Sequence, residues 1–77
     1  MKSKNKILIK FGEKVREIRK EKGLSQEELA CKAHLHRTYI GMIERAEKNI
    51  TLINIAKIAN AFELEIKELL VNNEKNI

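Results

Sequence analysis

The chain has 77 residues, 16 Lys and Arg against 11 Glu, a formal charge of +5 and 43% hydrophobic residues. That length fills one small core and excludes a deep catalytic cleft with its supporting shell. Three glycines, no proline and no alternating run of β-branched residues exclude a strand-rich fold, so one all-α domain is expected.

Residues 1–6 carry three lysines and read as a polar basic tail that approaches phosphates without fixed geometry. Ile7, Phe11, Val15 and Ile18 then recur at helical spacing, with charged residues on the other faces, until Gly23 offers a left-handed stop. This is the first helix, and Leu24 packs beneath the turn that follows it. Ser25 with Glu28 three residues on makes a capping box, so a second helix starts at Gln26. Its apolar face of Leu29, Ala30 and Ala33 is narrow, and small alanines let another helix cross closely. After a turn at His34 and Leu35, Ile40 and Ile43 point a third helix inward and leave Arg37, Thr38, Gly41, Met42 and Arg45 on the opposite side. Two short helices, a tight turn and a basic loop are the layout of a helix-turn-helix. Thr51 caps a fourth helix running to about Phe62, with Leu52, Ile55, Ile58, Ala59 and Phe62 inward. Leu64, Ile66, Leu69, Leu70 and Val71 suggest a short fifth helix, and residues 72–77 form a polar tail. The domain therefore spans residues 7–71, with no internal repeat and no linker rich in Gly, Pro or Ser.

Charge is concentrated in one half of the chain. Residues 1–45 hold 12 Lys and Arg against 6 Glu, a net of +6, whereas residues 46–77 hold 4 Lys against 5 Glu, a net of -1. A polyanionic partner is expected at the half containing the two short helices. Three aromatic residues are too few for a platform that stacks several unpaired bases, so a duplex is the better target. Cys31, His34 and His36 lie close in sequence, but no second cysteine or third histidine exists to complete a structural zinc site. Cys31 is expected to be partly exposed, and His36 stands where a helix N-cap belongs. No metal or other cofactor is expected. No Asp occurs, and most glutamates fall on solvated helix faces, so the chain does not read as an enzyme. A lone cysteine and a polar Met-Lys-Ser-Lys start point to the cytoplasm, and no segment approaches the roughly 20 apolar residues that cross a bilayer.

The run GLSQEELACKAHLHRTYIGMIERAEKN resembles the Xre/Cro-type helix-turn-helix family, and the resemblance covers about Gly12 to Leu70. The segment LHRTYIGMIERAEKNITLINIAKIANAF is similar to one branch, the controller proteins of bacterial restriction-modification systems. The resemblance implies a compact five-helix, phage-repressor-like fold. It also implies a homodimer whose third helices enter successive major grooves of a pseudo-palindromic operator. A controller of this kind activates its own gene and the restriction gene at low dose and represses its own promoter when a second dimer binds. Double-stranded DNA and a second copy are the implied partners, with RNA polymerase a further candidate and a membrane excluded.

The same resemblance assigns roles to residues. Gln26, in the first turn of the second helix, matches a position whose amide and helix N-terminus hold a backbone phosphate; its plain alternative is an exposed first-turn side chain. Arg37 matches the base reader, a guanidinium able to contact guanine O6 and N7 together. Thr38 offers a hydroxyl or a methyl to a base edge. Tyr39 either reaches phosphate with its hydroxyl or simply packs on the domain. Met42 is flexible enough to cover a thymine methyl. Lys48 and Asn49 are expected to clamp the backbone from the loop after the third helix. Glu44 faces inward by spacing, and the family pairs it with an arginine at the position of Arg19, a structural ion pair. Leu64, Ile66, Leu69 and Leu70 are expected at the dimer interface.

Three positions depart from the family pattern. Gly41 stands where the branch often has serine, which gives up a side-chain contact in exchange for closer backbone approach to DNA. Ala46 stands where a glycine ends the third helix, so that helix is expected to run on or to end without a left-handed cap. Glu63 stands where glycine is frequent and blurs the boundary before the fifth helix. Two other readings stay open: a phage-type repressor, and the antitoxin or protein-interaction module of a toxin-antitoxin pair, using the Leu64 to Val71 stripe.

Overall fold

The computed structural model describes residues 5–70, and all of its elements are helices. Helix α1, Lys6–Glu21, is capped by Asn5, whose side chain accepts from the Ile7 amide at 2.8 Å. The helix therefore begins inside the segment expected to be a tail; residues 1–4, like Val71 and the polar tail 72–77, lie outside the described residues. Helix α2, Gln26–Ala33, starts with the expected capping box: Ser25 Oγ accepts from the Glu28 amide at 3.0 Å, and Glu28 Oε1 accepts from the Ser25 amide at 2.8 Å. Helix α3, Arg37–Glu44, follows after a three-residue turn. Thr51 caps α4, Leu52–Ala61, and a single turn, α5, covers Ile66–Leu70.

Four chain reversals are built alike. Gly23, His34, Ala46 and Glu63 all take positive φ, between 60° and 71°. In each, the next amide reaches back five residues: Leu24 to Arg19, Leu35 to Ala30, Glu47 to Met42 and Leu64 to Ala59, at 2.8–3.0 Å. This is the Schellman arrangement, and Leu24, Leu35 and Leu64 add its apolar contact by packing on the core. Helix α3 thus ends at a left-handed residue even though that residue is alanine. The bond from Glu47 and the burial of the Ala46 methyl offset a backbone cost of about 1–2 kcal/mol.

The core is centred on Val15, Leu29, Ile40, Ile58 and Phe62, each less than 2% exposed. Every helix contributes to it, α5 through Leu69. Two residues expected inside are outside. Ile7 is 70% exposed, one turn before Phe11, where α1 starts to pack. Leu52 is 72% exposed, because the first position of α4 lies past the packed layer and the buried stripe begins a turn later at Ile55. Helix α1 crosses α3 at Gly12, where a Cβ would fall on the Ile43 carbonyl oxygen and 2.8 Å from that of Glu44. Only a glycine allows two helix backbones to meet this closely.

Candidate nucleic-acid interface

Helix α3 is held from behind by apolar packing and by charge. Ile40 and Ile43 are buried, and between α1, α2 and α3 lies the carboxylate of Glu44, its side chain fully enclosed. Arg19 donates through Nε to Glu44 Oε2 at 2.7 Å and through Nη2 to Oε1 at 3.1 Å, a two-pronged pair. Its Nη1 donates to the Leu24 carbonyl at 2.9 Å, tying the pair to the turn before α2. Gln26 Nε2 donates to Glu44 Oε1 at 3.0 Å, and Arg16 stands 3.6 Å from the same oxygen. Burial opposes ionisation of Glu44, but the hydrogen bonds from Arg19 and Gln26 and the charges of Arg19 and Arg16 outweigh it and hold the carboxyl below its ordinary range. The same bonds hold the Arg19 guanidinium above its usual value against the opposing effect of burial. The expected Arg19 and Glu44 pair is present, and one carboxylate pins all three helices together.

Gln26 is therefore not a plain surface residue. A carboxylate only accepts, so the amide must turn Nε2 toward Glu44, which takes up one of its two N–H donors at 3.0 Å. The coupling of Gln26 to Glu44, 18 residues away, has no signature in local spacing.

The opposite side of α3 is open. Arg37 is 70% exposed and stands 3.7 Å from Glu27, a weak surface pair that a phosphate or base can displace. Thr38 is exposed beside it, and Met42, one turn on, is half-buried. Lys48 and Asn49 are exposed in the loop after α3. Tyr39 is half-buried against the core and its hydroxyl accepts from Asn54 Nδ2 of α4 at 3.1 Å, a bond in which the hydroxyl's own O–H donor is not used. Asn54 did not stand out in the sequence, since nothing local marks a partner 15 residues from Tyr39. Gly41 is buried, not open to a close-lying duplex. The guanidinium of Arg45 and the amide of Gln26 cover it. His36 sits at the N-cap position of α3 and makes no side-chain cap bond. Cys31, His34 and His36 are all exposed, and no group of three metal-ligating side chains converges among the described residues.

The α4 and α5 side presents a different surface. Leu69, expected to face a second copy, is 2% exposed inside this chain's own core, because α5 closes the domain with that side chain. Leu64 packs on the same core. Ile66 and Leu70 remain 37% and 56% exposed, and Ile53 of α4 is 70% exposed. Ile53, Ala56, Lys57, Leu64 and Ile66 line an open groove between the two helices. Among the described residues no helix is long and apolar enough to cross a membrane.

A helix with one open face bearing Arg37, clamped by a second helix across a tight turn and flanked by a basic loop, defines a helix-turn-helix domain, and the model of the family described as Helix-turn-helix matches residues 15–69. Control protein C.BamHI of Bacillus amyloliquefaciens is 51% identical over 67 residues, covering 86% of this chain and 83% of that protein. Control protein C.MunI of a Mycoplasma species is 42% identical over 72 residues, covering 92% and 97%. Among solved structures, the restriction-modification controller C.AhdI of Aeromonas hydrophila superposes with a TM-score of 0.79 at 50% identity, over 80% of this chain and 94% of that one. The chain belongs to the Xre/Cro-type helix-turn-helix family and is a DNA-binding transcriptional regulator of the restriction-modification controller type. These relatives are regulators rather than enzymes.

Proposed function

We propose that the chain binds a pseudo-palindromic duplex operator as a homodimer and regulates its own gene and that of the associated endonuclease. The observation that carries this reading is the two-sidedness of α3: buried residues and the Glu44 network hold one side rigid, while Arg37, Thr38 and Met42 stand on the other without a role in the core. A helix of eight residues is about 12 Å long, a span that suits a B-form major groove. Arg37 reads a guanine edge, Thr38 and Met42 contact neighbouring bases, and the α2 N-terminus with Lys48 and Asn49 grips phosphates and sets the docking angle. Tyr39 supports that surface through Asn54. Ile66 and Leu70 of α5, with Ile53 beside the groove, supply apolar area for the second copy, and Leu64 and Leu69 hold that face in place from below.

The test is a gel-shift titration of the purified protein on its own upstream DNA against random duplex, with mass measured by light scattering at the same concentrations. A dimer that shifts the upstream DNA at concentrations where random duplex stays free, followed by a second band, is the expected result. Equal binding to both duplexes rejects an upstream operator. A monomer in solution and on DNA rejects the pairing through α5.

A further inference from the structure

The recognition helix carries a glycine in its interior, and that glycine is covered. A Cβ built on Gly41 would lie 3.0 Å from Arg45 Nη1, 3.7 Å from Arg45 Cζ and 3.5 Å from Gln26 Oε1. The Arg45 guanidinium is therefore folded back by one helical turn and rests against the backbone of α3 at residue 41. Its Nε is paired with Glu47 Oε2 at 3.1 Å, while its Nη1 is the atom that lies toward position 41. The other wall of this seat is the Gln26 carbonyl oxygen, whose orientation is set by the bond from Nε2 of the same amide to buried Glu44. A partly exposed arginine normally samples many rotamers; this one has a shaped place to lie.

From this geometry we infer that Gly41 is a seat for the Arg45 guanidinium, and that Arg45 so held is a second specificity-determining residue of the DNA-reading surface, beside Arg37. The inference rests on the operator-binding reading above. Arg37 and Gly41 are four residues apart, so folding back brings the second guanidinium to about 6 Å along the helix from the start of Arg37, instead of about 12 Å. At about 3.4 Å per base step, that separation places two arginine forks within one half-site. Any side chain at position 41 pushes into Nη1. The group that yields is the end of a flexible side chain, so the cost falls on where the guanidinium points and not on the fold. Alanine is also the better helix former, and the domain keeps its structure when Gly41 is replaced.

The deciding experiment is selection from a randomised duplex pool, with sequencing of the bound fraction, for the wild-type chain, Arg45→Ala, Arg45→Lys, Gly41→Ala, the Gly41→Ala/Arg45→Ala double variant and Arg37→Ala. Thermal melting by circular dichroism accompanies each. The expected result is that Arg45→Ala and Arg45→Lys relax one base preference by at least about fivefold, at a position different from the one Arg37→Ala relaxes. Gly41→Ala relaxes the same position as Arg45→Ala with an unchanged or higher melting temperature, and the double variant loses no more than either single one. A motif left intact by Gly41→Ala overturns the seat. A loss with Arg45→Ala that is uniform across all duplexes places Arg45 on phosphate and overturns its role in specificity. A wild-type chain that enriches no motif overturns the operator-binding reading as well, whereas a motif that answers only to Arg37→Ala overturns this inference alone.

Discussion

The two sides of α3 are each met by a glycine, and the two glycines do opposite work. On the inner side, Gly12 of α1 lets the Ile43 and Glu44 carbonyls come so close that no Cβ fits, and the obstruction is backbone. On the outer side, Gly41 meets only the ends of the Arg45 and Gln26 side chains. Backbone cannot move without moving a helix; a guanidinium can swing away. The inner side is therefore where sequence change costs stability, and the outer side is where, on the operator-binding proposal, it changes base preference.

The largest expected effect falls on the inner side. Arg19→Ala leaves the enclosed Glu44 carboxylate without its main partner and is expected to lower unfolding stability by about 3–5 kcal/mol, read from urea denaturation. Loss of DNA binding in that variant reports a displaced α3 and not a missing DNA contact. The same network sets an acid limit. Because Glu44 titrates below its ordinary value of 4.5 in the folded chain, its contribution is complete above pH 4.5 and is lost as pH falls through the depressed folded value. In a urea series across pH, this acid-side fall is expected to be markedly smaller in Glu44→Gln; an equal fall would assign it to other carboxylates.

Gly12→Ala comes next. Forcing a Cβ between two helix backbones is expected to cost about 1–3 kcal/mol, despite the gain in helix propensity, and a melting temperature at or above wild type would show that α1 slides without penalty. On the outer side, Arg37→Ala should reduce discrimination between operator and random duplex by about 1–3 kcal/mol at unchanged fold stability. Lys48→Ala should weaken both duplexes alike and flatten the salt dependence by about 1. Equal losses on both duplexes for Arg37→Ala would remove its reading role and leave the two residues equivalent. The smallest effect is a gain: Glu63→Gly relieves a left-handed backbone at an exposed position and is expected to raise stability by about 0.5–1 kcal/mol in the same urea assay.

The helix starts were legible because their signals are local. Ser25 with Glu28, and Thr51 before Asn54, act across three residues, and both caps form as read. Helix ends were less so. Left-handed caps at His34, Ala46 and Glu63 depend on a bond from the following residue and on packing of its neighbours, which outweigh the preference for glycine. The stripe rule also overran the starts of α1 and α4. Ile7 and Leu52 have the right spacing but lie past the packed layer, and Leu69 satisfies this chain's own core instead of facing outward. Of the candidate site residues, Arg37, Thr38, Lys48 and Asn49 stand exposed where helical spacing and the loop assignment put them. Gln26, Tyr39 and Gly41 each have a neighbour that spacing alone does not reveal.

What the sequence by itself determined was the number and order of helices, the capped starts, the inward turn of Ile40 and Ile43, and membership in a family of DNA-binding regulators. The helices and caps follow from periodicity and from motifs that act within a few residues of one another, and the membership from the resemblance of the chain to that family. Only the tertiary structure decided that Glu44, whose pairing with Arg19 the resemblance implied, also gathers Arg16 and Gln26, that Gly12 is the crossing point of α1 and α3, and that Arg45 lies over Gly41. The physical reason is range: a cap or a stripe is satisfied within its own helix, whereas a buried charge or a missing Cβ has meaning only once another helix is set against it.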